Sequence, residues 1–144
     1  MDEYFLEPTQ QAGAHLFSRG LTGEVVMLNL LRFKDIADYA AHPEIAPEAA
    51  ISGKAAFQKY IDHAQPFLKS SGGELMFMGT GGPFFIGPDH EQWDLVMLVK
   101  QRSLADFMAF ASNPEYLAGL GHRTAALQDS RLLPIVQSKD GNIE

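Results

Sequence analysis

Six side chains of this sequence could meet in one pocket and do chemistry there. Asn29 and Arg32 interrupt an otherwise apolar run over residues 25 to 33. Tyr60 stands on the apolar stripe of a later helix, His122 and Arg123 sit together on a helix near the end, and Trp93 opens a second apolar run. Together they would offer an amide, a phenol, a base and two cations. Such a set suits a small organic acid or an enolisable carbonyl compound. Arg123 or Arg32 would hold the anion, and His122, assisted by Tyr60, would move a proton. On this reading His122 and Tyr60 are the catalytic candidates, and Asn29, Arg32, Arg123 and Trp93 bind the ligand. Each also has a purely structural alternative. Asn29 could bond neighbouring backbone, Tyr60 could be core with its hydroxyl at the rim, and His122 could answer the negative end of its helix. Arg123 could pair with Asp129, Arg32 could reach along the surface to water, and Trp93 could anchor an interface.

Other chemistries find little support. The chain has no cysteine, so a disulfide framework, thiolate metal ligands and a cysteine nucleophile are excluded. His15, His42, His63, His90 and His122 show no ligand spacing, and neither a metal nor a cofactor is expected. No Gly-x-Ser-x-Gly elbow occurs. The run Gly79-Thr80-Gly81-Gly82 lacks the spacing of a phosphate loop and reads instead as a bend or bulge in a strand. A net charge of −7 without a basic cluster argues against nucleic acid and anionic membrane as partners. The acidic start lacks the pattern of a signal peptide, and no apolar stretch approaches a membrane span, so a cytoplasmic location is expected.

The elements that would position these residues follow from periodicity. Thr9 caps a short N-terminal helix that Gly20 stops, an appendage laid against the domain. Residues 24 to 33 form a first strand, apolar on both faces. Residues 34 to 51, with Pro43 and Pro47, form a long loop with a helical turn or a small flap. From Ser52, Phe57, Tyr60, Ile61, Ala64 and Leu68 recur at helical spacing until Ser71-Gly72-Gly73, with Lys54 on the wet side and Pro66 tightening the last turns. A second strand covers residues 75 to 78, with residues 84 to 86 beyond the glycine bend, and a third covers residues 93 to 100. Ser103 and Asp106 make a capping box for the next helix, Asn113 and Pro114 restart helix, and residues 131 to 136 close the sheet. Pro134 marks that last strand as an edge or as bulged.

The order is β-α-β-β-α-β behind an extra helix. This is an α+β, ferredoxin-like arrangement with an antiparallel sheet and both main helices on one face. Residues 1 to 23 are the helical extension, 24 to 137 the domain, and 138 to 144 a frayed tail. At 144 residues the chain buries about 70% of its unfolded surface as one domain. The opposite sheet face should then be polar, yet residues 25 to 31 and 95 to 99 are apolar at odd and even positions alike. A second copy is the economical cover, so a homodimer joined sheet to sheet is expected.

Several stretches strengthen this expectation. Residues 26 to 33 (Val-Met-Leu-Asn-Leu-Leu-Arg-Phe), Ser52-Gly53 with Tyr60, Pro66 and Gly72-Gly73, then Trp93-Asp94, Asn113-Pro114-Glu115-Tyr116, His122-Arg123 and Asp129-Ser130-Arg131 resemble the bacterial domain-of-unknown-function family 1330. That family lies in the dimeric α/β-barrel superfamily. The resemblance covers residues 24 to 136 and implies the ferredoxin-like fold and the sheet-to-sheet dimer. It implies little about activity, because the superfamily includes cofactor-free monooxygenases, isomerases and haem enzymes. Three functions therefore stand: a dimer with a sheet–helix cavity for a small anionic or carbonyl ligand, a cofactor-independent enzyme of isomerase or monooxygenase type, and an interaction module without a pocket.

Overall fold

The computed structural model describes residues 3–143. One four-stranded antiparallel sheet contains β1 (Val25–Phe33), β2 (Glu74–Pro83), β3 (Gln92–Gln101) and β4 (Leu127–Ile135), in the order β2-β3-β1-β4. The helices are α1 (Gln10–Ser18), α2 (Gly53–Ser70), α3 (Leu104–Ala111), α4 (Pro114–Leu117) and α5 (Leu120–Ala126). This is the ferredoxin-like arrangement with an additional N-terminal helix.

Alternation decides the two faces of the sheet. In the register Leu31 pairs with Leu95, Asn29 with Met97 and Met27 with Val99, and this odd-numbered face meets the helices. The core joins Leu31 of β1, Ala56, Phe57 and Ile61 of α2, Ala126 of α5 and Leu127 of β4. Phe57 lies at its centre, with its ring 5.5 Å from Phe33 and 5.2 Å from Tyr60. The other face carries Val26, Leu28 and Leu30 of β1, Val96 and Leu98 of β3, Phe77 of β2, and Leu133 and Ile135 of β4. Phe77 and Leu133 are each 55% exposed. No described element covers this apolar face.

Helix α2 forms where its periodicity says it should. The Ser52 hydroxyl accepts from the Ala55 amide at 3.0 Å, and Ala56, Phe57, Ile61 and Ala64 make the buried stripe. Gly72, at φ +83°, ends it in the left-handed conformation glycine adopts without strain. The Ser103 hydroxyl caps α3 through the Asp106 amide, and Asn113 caps α4 with Pro114 in the first turn, both as expected.

The structure corrects four boundaries. The bend expected at the glycines is instead a register shift between Leu75 and Phe77, so that Met76 is the extra residue. The glycines lie within regular pairing, and Phe84, Phe85 and Ile86 lie beyond the strand in an exposed turn. The helix restarted at Asn113 breaks into α4 and α5: His63 Nε2 donates to the Glu115 carbonyl at 2.8 Å, the acceptor a continuous helix would offer Gly119, and the Gly119 amide donates to Tyr116 instead. The last strand starts at Leu127, directly from α5, four residues earlier than expected. Residues 34 to 51 are a loop with a 3-10 turn at Pro43–Ile45, and it is fastened down. Lys34, Ala37 and Asp38 donate their amides to Ala126, Ile51 and Ala125, and Ile36 bridges to Ser52.

Pro134 lies on β4, an edge strand, in keeping with its missing donor. Helix α1 is capped by Thr9, whose hydroxyl accepts from Ala12, and it has no buried residue.

Candidate functional site

A cleft of about 270 Å³ opens where the first turn of α2 faces the ends of β1, β2 and β3. Phe33, Lys54, Thr80, Gly81, Asp94 and Leu95 line it. Its geometry follows from local chemistry. The β1–β4 register slips between Arg32 and Phe33, and the Phe33 amide is taken by the Asp94 carboxylate at 2.8 Å. That bond ties Asp94 to the end of the sheet through one oxygen. Gly81 lets β2 come close to β3, since a Cβ there would run into the Trp93 carbonyl. Gly53 similarly presses the start of α2 onto the loop, where a Cβ would lie 2.6 Å from the Ala126 carbonyl oxygen. This close approach sets Lys54 beside the cleft. Lys54 forms no ion pair among the described residues. The cleft thus combines a cation, a hydroxyl and a carboxylate with an apolar floor of Phe33 and Leu95. Small-molecule sites are built of such combinations. Among the described residues no group of three or more His, Asp or Glu is placed to hold a metal ion.

The six residues nominated from the sequence do not line this cleft, nor the larger groove of about 590 Å³ at the junction of α2 and β2. Tyr60 and Tyr116 share a 2.7 Å hydrogen bond between hydroxyls, and their rings meet edge to face. Burial, then Tyr116, pushes the Tyr60 phenol well above its ordinary value, while the nearby Arg123 charge opposes the rise. His122 shares a 2.7 Å hydrogen bond through Nδ1 with the Tyr39 hydroxyl. Its imidazole is held below its ordinary value by burial, with smaller contributions from Lys59 and His63. Asn29 donates from Nδ2 to the Met27 carbonyl on its own strand, at 3.2 Å. Arg32 stands opposite Asp129 in the β1–β4 register. Trp93 is 3% exposed, donates to Glu91, and has the Arg131 guanidinium 5.0 Å from its ring. Little of that ring is left for an interface.

Arg123 donates to the Leu6 carbonyl at 2.8 Å and to Ser130 at 3.4 Å. The expected partner, Asp129, is instead paired with Arg131 at 2.7 Å. The structure therefore sets Tyr60 with Tyr116, His122 with Tyr39 and Arg123 with Leu6 and Ser130, and leaves Asn29 and Trp93 in separate environments.

Sequence reasoning missed Lys54, Thr80, Asp94 and Tyr39. Asp94 had a signal, a carboxylate within a buried run. Lys54 looked like one more solvated position on the wet side of a helix. Tyr39 meets a partner 83 positions away, which no local pattern reveals.

The fold and the cleft define a ferredoxin-like α+β protein. The chain is similar over nearly its whole length to the methylated RPA0582 protein, with 29% identity over 96% of this chain and 98% of that one, and a TM-score of 0.85. A second structure, the RPA0582 protein of unknown function from Rhodopseudomonas palustris, gives 28% identity over 95% and 99%, and 0.83. An uncharacterized NIPSNAP domain protein from Burkholderia xenovorans shares the fold at 11% identity over 83% and 99%, with a TM-score of 0.51. No family model and no curated protein matches the chain.

Proposed function

We propose that the protein is a homodimer, joined through the outer faces of its sheets, that holds a small organic acid or carbonyl compound in the cleft beside Lys54. One observation carries the ligand half: an unpaired lysine, a threonine hydroxyl and a half-engaged carboxylate around an apolar floor. Lys54 would take the anionic or carbonyl oxygen, and Thr80 and the second oxygen of Asp94 would take a hydroxyl or amine. The dimer half rests on the uncovered apolar face, which would give a core-like interface between two copies. The sequence stretches that resemble family 1330 fit the same assembly.

Binding is better supported than turnover. A catalytic pairing of His122 with Tyr60 needs both to reach one substrate, yet each is committed to a different tyrosine. Tyr60 is also a poor proton donor at neutral pH, its phenol being held far above its usual range.

Thermal denaturation against a panel of small carboxylic and keto acids tests the reading. At least one compound should raise the melting temperature of the wild type and leave Lys54→Met unmoved. A panel that shifts both proteins equally would remove the cleft from consideration.

A further inference from the structure

The N-terminal arm is attached to the body in an unusual way. Helix α1 has no buried residue, and its described tie to the sheet is Arg19, donating to the Pro134 carbonyl at 3.0 Å. Between α1 and β1 lie Gly20 and Gly23, both at positive φ, +62° and +75°. The firm anchor is residues 5 and 6: side chains of the body read the main chain there, and the Leu6 side chain packs against the core cluster that contains Leu31, Phe57 and Leu127. The Phe5 amide donates to Asp129 Oδ1 at 2.9 Å, the Ser130 hydroxyl donates to the Phe5 carbonyl, and Arg123 donates to the Leu6 carbonyl. The Phe5 ring lies 4.9 Å from the Arg131 guanidinium, which is also close to Trp93.

The receiving groups are organised by their own bonds. Asp129 Oδ1 also accepts from the Ser130 amide and from Arg131, and Ser130 lies within reach of Arg123. Asp129 and Ser130 are 7% and 5% exposed. An arm merely resting on the surface would leave its carbonyls to water. Here one donor and two successive acceptors of the arm each meet a matching side chain, and a guanidinium plane receives an aromatic ring. Recognition of this kind reads peptide backbone first and one aromatic residue second.

We propose that Arg123, Asp129, Ser130 and Arg131 form a peptide-binding site, filled in cis by residues 5 and 6 and able to take the same segment from a second copy of this chain. The glycine-bearing connection lets the arm leave without disturbing the sheet. Tethering holds the cis segment at an effective concentration of about millimolar, so the arm of a second copy enters only when the tethered one is weakened or displaced.

The test uses the full-length chain with its own arm disabled by Phe5→Pro, which removes both the amide donor and the ring, together with Leu6→Ala, probed with a synthetic peptide of residues 3–9. Trp93, the sole tryptophan, reports on the site. The peptide should bind this variant saturably, shift the tryptophan emission and raise the melting temperature towards that of the wild type. A Phe5→Ala peptide should bind about five- to tenfold more weakly. Adding Arg123→Met to the variant should weaken binding as well. A folded variant showing no saturable change up to millimolar peptide overturns the proposal, as does equal binding of the two peptides. If the double substitution prevents folding, amide exchange in the wild type decides. The Phe5 amide must exchange by opening of the arm alone, much faster than the amides of the core. Exchange at the rate of global unfolding means the arm does not detach, and the proposal fails.

Discussion

The hydroxyls of Tyr60 and Tyr116 illustrate how single atoms matter here. Tyr116 is buried and Tyr60 half-buried beside it, and each hydroxyl finds its partner in the other. Removing either hydroxyl leaves the other without its bond, at a cost of about 1 to 2 kcal/mol. Tyr60→Phe and Tyr116→Phe should each lower stability by that amount in urea denaturation. The double variant should cost close to one single loss rather than the sum, because the contact is shared. His122 gives the pH dependence. Its folded value is lowered, so the unfolded chain binds a proton near its ordinary value of about 6.5 while the folded chain stays neutral. The stability from this group is therefore present above that value and is lost as pH falls through it towards the folded value. Melting temperatures between about pH 7.5 and about pH 5.5 should fall less steeply in His122→Gln than in the wild type.

Helices and strands are largely legible in the sequence, and the reasons are local. Ser52, Ser103 and Asn113 cap the helices they were expected to cap, since a cap is decided within four residues. Pro134 declares an edge strand by lacking a donor. The misjudged boundaries came from contacts across the chain. The His63 ring, bonded to the Glu115 carbonyl, splits a helix that the sequence around Pro114 would continue, and the bulge at Met76 answers to β3 rather than to the glycines after it. The cleft was hidden for the same reason, because Lys54, Thr80 and Asp94 come from three elements and acquire meaning only in the register. Two predictions belong at this scale. Phe57→Ala should cost about 3 to 5 kcal/mol, since its ring joins α2 to the end of β1. Ser52→Ala should cost about 1 kcal/mol, and calorimetry should show the smaller loss as a modest fall in melting temperature.

For the whole molecule, the question is what covers the outer face. Val26, Leu28, Leu30, Val96 and Leu98 form its middle, and Phe77 and Leu133 lie on flanking strands. A stable dimer buries about 800 Å² on each partner. Sedimentation equilibrium at micromolar concentration should give twice the chain mass. Phe77→Asp with Leu133→Asp should give the single mass with an unchanged circular dichroism spectrum, both side chains being half exposed already. A wild type that sediments as a monomer would end the dimer reading and leave the cleft and the arm site untouched.

The strand order also governs when this chain can fold during synthesis. The central strand β1 is made early, but its two neighbours, β3 and β4, begin at Gln92 and Leu127. The arm waits longer still, since Phe5 meets a serine 125 positions downstream. A ribosome must therefore release the chain through β4 before the sheet closes, and until β3 emerges the apolar strand β1 has no partner on either side. Such long-range closure slows folding and exposes the nascent strand to aggregation. Chains stalled before Leu127 should be captured by chaperones, whereas chains released past Ile135 should resist protease.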